Sequence, residues 1–150
     1  MTTPPADDAS LRQAVEDTVV RLFVATDERD WSAFPELFAD PFVLDMTSMT
    51  GGEPATLTPS QVAAAWDEGF RPLDHVHHQI GNLRTDIDGG QARVRCYGIA
   101  LHHRAAASAG TTRRFVGTYD LALAASDAGW RITRLTFLLK FIDGNLTLET

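Results

Sequence analysis

Residues 75–105 read HVHHQIGNLRTDIDGGQARVRCYGIALHHRA, and the organisation of the whole chain follows from them. Asp88-Gly89-Gly90 is a tight-turn signal between two long runs with period-2 alternation, about 75–87 and 91–105. Two further runs, about 112–125 and 130–142, are joined by Ser126-Asp127-Ala128-Gly129. Four consecutive hairpin-linked strands predict an antiparallel sheet. Strands of 12 or more residues exceed the usual length of about five or six, so the sheet must twist and bend into a hollow.

The residues before it read as helices that cover this hollow. Ser10-Leu11-Arg12-Gln13 has capping-box spacing, and Leu11, Val15, Val19, Leu22 and Phe23 form one stripe of a helix over 11–27. A shorter helix is expected at Trp31–Phe38, ended by Asp40-Pro41, and then a strand at Phe42–Met49 closed by Thr50-Gly51-Gly52. Thr58-Pro59-Ser60-Gln61 is a second capping box, opening a helix with Val62, Trp66 and Phe70 on one face that stops at Arg71-Pro72. The order α-α-β-α-β-β-β-β defines an α+β domain over 10–145, with tails at 1–9 and 146–150. The hollow between sheet and helices is a natural pocket for a small apolar ligand.

Composition narrows the function classes. The net charge of −7 argues against nucleic acid, which needs clustered Lys and Arg. Residues 1–74 carry a net −10 and residues 75–150 a net +3. Arg93, Arg95, Arg113, Arg114, Arg131 and Arg134 all fall on predicted strands, as the solvated or subunit-facing side of a sheet, or more weakly as an anion site. No apolar run approaches a membrane span, and the start MTTPPADDAS does not resemble a signal peptide. With the single cysteine, Cys96, read as core packing, a cytoplasmic protein is expected. Nucleotide-binding glycine motifs and a G-x-S-x-G elbow are absent from the sequence.

The histidines carry the chemistry. His75 and His77 share a strand face, but no acidic residue follows until Asp86, so no metal site is assigned and both read as exposed polarity. His78 has the parity of Val76 and Ile80 and faces inward, where it needs a partner. Asp27 continues the stripe Val15, Val19, Phe23 by another i+4 step, which also places it over the hollow. Together they have the parts of a general base held by a carboxylate. The alternative is that Asp27 caps the helix and His78 is a satisfied core residue. His102 shares a face with Val94, Cys96, Gly98 and Ala100, so it is assigned to the pocket and His103 outward. Tyr119 alternates with Phe115, Gly117 and Leu121 and adds a pocket hydroxyl.

At these residues the chain resembles the SnoaL-like branch of the nuclear-transport-factor-2-like superfamily, and within it the scytalone dehydratase type. The points of contact are Thr26-Asp27-Glu28-Arg29-Asp30-Trp31, Asp45-Met46-Thr47-Ser48, His78-Gln79-Ile80-Gly81-Asn82, a histidine late in the next strand, and Gly129-Trp130-Arg131-Ile132. The resemblance implies a cone-shaped α+β barrel, frequent dimerisation, and catalytic roles for Asp27, His78 and His102. Thr26, Met46, Trp66, Asn82 and Tyr119 are expected to bind substrate. Thr26 and Met46 stand where the dehydratase has tyrosines, and Tyr119 where it has an asparagine, so the substrate is expected to differ. Asp45, out of step with Phe42, Leu44 and Met46, is expected to face out or bond backbone.

Three functions remain open at this point. The first is a cofactor-independent acid/base enzyme (dehydratase, isomerase or cyclase) for a hydroxylated cyclic ketone, polyketide or steroid-like compound. The second is a binding module using the same pocket. The third is a scaffold whose arginine-rich sheet face holds a protein partner.

Overall fold

A computed structural model of the chain describes residues 7–149. The elements are α1 (Asp8–Asp27), a 3₁₀ turn (Phe34–Leu37), β1 (Phe38–Asp45), α2 (Thr47–Thr50), β2 (Ala55–Leu57), α3 (Pro59–Phe70), β3 (His75–Asp88), β4 (Gln91–His103), β5 (Thr112–Ser126) and β6 (Gly129–Gly144). One six-stranded sheet runs in the order β2-β1-β6-β5-β4-β3, antiparallel except where β1 lies parallel to β6. Three helices pack on one face of this curved, unclosed sheet, giving the expected α+β cone. None of the helices among the described residues is long and apolar enough to cross a membrane.

The N-terminal half departs from expectation in detail. The first capping box is not used: Asp7 is the N-cap, its carboxylate accepts from the Ser10 N–H at 2.7 Å, and Gln13 turns to Asp17 instead. An ionised N-cap beside the positive helix end outcompetes a serine three residues later, so residues 7–9 belong to the fold. Residues 1–6 lie outside the described part. The helix expected at 31–38 shrinks to a 3₁₀ turn, with Pro35 at its start, and the chain enters β1 at Phe38. Its register against β6 shifts between Phe38 and Val43, around Pro41, which cannot donate to a ladder. The strand stops at Asp45 because that carboxylate accepts from both the N–H and the hydroxyl of Thr47, folding the chain into α2. The second capping box forms as expected, with reciprocal bonds between Thr58 and Gln61.

The core lies between α1, α3 and the concave face. Val15, Val19 and Leu22 of α1 meet Val94, Leu121, Leu123, Ile132 and Leu135 of the sheet. Phe34 sits within aromatic contact of Trp31, Phe38 and Trp66. A smaller cluster gathers Leu148 with Leu73, Val76, Ala107 and Phe70. The segment expected to be a C-terminal tail is therefore docked through residue 149. Glu149 accepts from the Ser108 N–H, from the Ser108 hydroxyl at 2.9 Å and from the Ala109 N–H at 3.0 Å.

Two glycines shape the floor of the hollow. Gly98 and Gly117 are directly paired across β4 and β5, and the rings of Tyr119 and Phe137 lie over them. A Cβ on Gly98 would fall 2.1 Å from the Tyr119 ring. Gly98→Ala should therefore tip Tyr119 into the hollow and cost about 1–3 kcal/mol through overpacking. Thermal unfolding checks the cost, and loss of small-ligand binding checks the direction of the ring.

Candidate active site

Three helices and four strands converge on a cavity of about 180 Å³. Its walls are almost wholly apolar: Leu22 and Phe23 from α1, Trp66 and Phe70 from α3, and Ala100, Phe115, Leu135 and Phe137 from the sheet, with Met46 and Met49 where β1 turns into α2. Thr26, His78, His102 and Tyr119 supply the polar atoms.

Asp27 and His78 meet at its wall, with the imidazole lining the cavity and the carboxylate behind it. Asp27 is the last residue of α1, where a carboxylate opposes the helix dipole by about 0.3–1 kcal/mol. The helix ends there because Arg29 takes a left-handed conformation, with its N–H on the Thr26 carbonyl and the Asp30 N–H on the Ala25 carbonyl. The Arg29 guanidinium then donates to the Leu73 carbonyl at 2.8 Å, tying the helix end to the entry of β3. With both elements fixed, Asp27 grips His78 twice. One carboxylate oxygen accepts from the His78 backbone N–H at 2.8 Å, and the other lies 2.6 Å from Nδ1. A carboxylate fixes the proton on Nδ1, so Nε2 carries the lone pair. The Phe23 ring packs on the imidazole at 5.3 Å between centroids.

His102 is held the opposite way round. Its Nδ1 accepts from Nε of Arg113 at 3.0 Å, and an arginine nitrogen can only donate. The ring proton of neutral His102 therefore sits on Nε2. Burial, then the Arg113 charge and then His78, push its pKa down to about 3, against a smaller upward pull from Asp27. Tyr119 is held as the phenol, its pKa raised by burial and then by Cys96 and Asp27. The Tyr119 ring is buried, and its hydroxyl is not a sealed polar atom left without a partner, so it opens to the cavity that the residue lines. The cavity thus offers one basic nitrogen lone pair, on His78, and two protonated donors, on His102 and Tyr119.

Of the other residues singled out in the sequence, Thr26, Met46 and Trp66 line the cavity. The Thr26 hydroxyl is occupied in part by the Leu22 carbonyl, at 2.8 Å. Asn82 is not part of the cavity. The β3 register shifts between Gly81 and Arg84, with Asn82 at φ 54°, so the inward parity passes from Ile80 to Leu83 and Asn82 is exposed. His75 and His77 are exposed, and among the described residues no three metal-binding side chains cluster. His103 sits outside, stacked on His75. Asp45 bonds backbone, as expected, and pairs with Arg134. Most of the strand arginines likewise face aspartates: Arg93 and Arg95 share Asp120, and Arg114 pairs with Asp143. Cys96 is buried, its thiol pushed up to about 11 by that burial. Met49, Phe70 and Phe115 are cavity residues that the sequence reading did not assign.

His102 sets a pH dependence. Its folded-state pKa is depressed below that of the unfolded chain, near 6.5. Between those values the unfolded state binds the extra proton, so stability falls as pH drops from about 6.5 towards 3. The slope is up to about 1.4 kcal/mol per pH unit. Urea unfolding at several pH values should show this slope in the wild type and its loss in His102→Gln.

An open α+β cone with a histidine–carboxylate pair at the wall of an apolar cavity is the architecture these residues build. The chain belongs to the SnoaL-like family: the SnoaL-like domain matches residues 7–136. The Kfla4162 protein of Kribbella flavida superposes with a TM-score of 0.88 at 25% identity, covering 95% of this chain and 98% of that one. A candidate scytalone dehydratase from Novosphingobium aromaticivorans gives 0.76 at 15% identity, covering 88% and 85%. The hexachlorocyclohexane dehydrochlorinase LinA-type3 of Novosphingobium barchaimii gives 0.72 at 13%, covering 88% of each. The chain matches no curated protein sequence.

Proposed function

We propose that the protein is a cofactor-independent acid/base enzyme that abstracts a proton next to the carbonyl of a small, hydroxylated cyclic ketone. The observation that carries this reading is the double grip of Asp27 on His78, which leaves Nε2 as the one basic atom lining an apolar cavity. His78 Nε2 takes the proton, and the C–H electron pair moves onto the carbonyl oxygen. Tyr119 and the Nε2–H of His102 are the donors for that oxygen. As the carbonyl re-forms, a β-hydroxyl leaves with the proton from the imidazolium, giving an alkene and water. Return of the same proton at another carbon gives an isomer instead. Asp27 holds the ring and stabilises its charged form throughout.

Size points to the small end of the substrate range. A cavity of about 150 Å³ accommodates benzene, so about 180 Å³ fits a single ring with a few substituents better than a four-ring steroid. Two structural neighbours fit such chemistry, one described as a candidate scytalone dehydratase and one as a dehydrochlorinase of a single-ring compound. A homodimer and a cytoplasmic setting remain part of the proposal.

The test is native mass spectrometry of wild type, Asp27→Asn and His78→Gln against a pool of single-ring hydroxylated ketones. A product lighter by one water, or an isomer resolved by chromatography of the released ligand, formed only by the wild type is the expected result. Equal, unreacted binding by all three proteins would make the cavity a binding site and remove the catalytic pair.

A further inference from the structure

We propose that Arg113, which lies outside the cavity, is a positioning residue: its hydrogen bond to Nδ1 fixes His102 as an Nε2–H donor rather than a proton shuttle. For its catalytic consequence the inference rests on the proposed acid/base reading. For the state of His102 it stands alone.

Arg113 and His102 are directly opposite each other on β5 and β4, so the contact is set by the ladder itself and not by a loose surface side chain. The guanidinium is fixed at three points. Nε donates to His102 Nδ1 at 3.0 Å, Nη1 donates to the Leu146 carbonyl at 3.1 Å, and the group lies 5.6 Å from the centroid of the Phe115 ring. Arg93, Arg95, Arg114 and Arg134 each have an aspartate partner; Arg113 has no carboxylate partner among the described residues. Its Nε donor is directed at an imidazole nitrogen, a poor choice for an arginine serving stability alone, since it places a full positive charge against a group that could itself become charged.

The groups around His102 explain what this achieves. Phe70 of α3 and Phe115 of β5 pack on the ring, His78 approaches from β3 and Asp27 from α1. In that setting an unconstrained histidine has two neutral tautomers and a cationic form. The cationic form would need a proton on Nδ1, directed at Arg113, and the Nδ1–H tautomer meets the same obstacle. Only the Nε2–H form fits. Two histidines in one cavity are thereby given opposite roles by their outer partners: a carboxylate makes His78 a base, and a guanidinium makes His102 a neutral donor. Because Leu146 holds Arg113, and neighbouring Leu148 packs beside Phe70, the docked C-terminal segment supports this arrangement.

Nitrogen-15 NMR of the full chain, with ring nitrogens labelled, reads the tautomer directly. The wild type should show His102 with a protonated Nε2 and a bare Nδ1 from pH 5 to 8. Arg113→Met removes both the donor and the charge, and should give a tautomer mixture and a His102 titration midpoint well above its wild-type value of about 3. Arg113→Gln keeps a donor without the charge, and should retain the Nε2–H tautomer with a smaller rise. On a turned-over ketone, Arg113→Met should lower kcat by up to about 10²-fold with KM little changed, as for loss of an oxyanion donor. An unchanged tautomer and titration in Arg113→Met would overturn the proposal. So would equal scrambling in Arg113→Gln, which would make the contact one of packing. Absence of turnover in the wild type would count against the acid/base reading alone, since the nitrogen signals need no substrate.

Discussion

His78→Gln is expected to lower kcat/KM by about 10²–10⁴-fold on any ketone the wild type converts, the usual worth of a positioned general base. Glutamine can occupy the space and accept a hydrogen bond, but it cannot take a proton. Asp27→Asn should cost a comparable factor by a different route. An amide in place of the carboxylate must direct its NH2 at either the His78 backbone N–H or the ring Nδ1–H, both of which are donors. The ring then turns over to the wrong tautomer, with its proton facing the cavity. Since both variants disable the same proton transfer, the double variant should be no slower than His78→Gln alone. Steady-state kinetics on the four proteins checks this. Multiplicative losses would show that Asp27 and His78 act separately, and a fall of less than tenfold in His78→Gln would remove the histidine from the base role. Circular dichroism is the control, because Asp27→Asn also weakens the bond to the partly buried His78 N–H and carries about 1–3 kcal/mol of structural cost.

That this pair was legible in the sequence has a specific cause. A helix period of i+4 and a strand period of two propagate without error as long as the element is regular, and both α1 up to Asp27 and β3 from His75 to Ile80 are regular. His102 was readable for the same reason, since β4 pairs with β5 without a break in register. Where an element is irregular the reading fails at once. The bulge after Gly81 swaps the faces of β3 and takes Asn82 out of the cavity; a lone glycine within the strand followed by an asparagine, which tolerates the left-handed backbone found there, is the signal that could have found it. Phe34, Phe38 and Phe42 share a helix-like spacing of four, yet belong to a 3₁₀ turn and a strand, because Pro35 and Pro41 break the repeat. Arg113 was invisible as a partner of His102. Matching 102 with 113 requires the geometry of the connection at 104–111, which the residues alone leave open. The docking of Leu148 was equally hidden, since one leucine among polar neighbours carries no periodicity.

Phe34→Ala is expected to give the largest loss of stability of any single change considered, about 3–5 kcal/mol. The side chain is fully buried, and its ring meets Trp31, Phe38 and Trp66 at centroid distances of 5.5, 4.9 and 5.4 Å. Two of these four rings come from the link between α1 and β1, the third opens β1 and the fourth belongs to α3, so collapse around the missing ring would have to draw separate elements together. They are already tied: Trp31 donates its indole N–H to Asp67 of α3 at 2.9 Å. The hole therefore stays largely open and the full cavity cost is felt. For a chain of 150 residues this corresponds to a fall in the unfolding temperature of roughly 10 °C or more. The consequence reaches the cavity through Trp66, which packs on Phe34 and also lines that cavity. A loosened Trp66 should raise KM while leaving the Asp27–His78 grip and its proton transfer intact, so kcat should change much less than in His78→Gln. Calorimetry together with kinetics tests both halves. A loss under 1 kcal/mol would mean that α3 closes over the gap, and a fall in kcat as large as that of His78→Gln would mean that the aromatic roof, and not the carboxylate alone, sets the histidine in place.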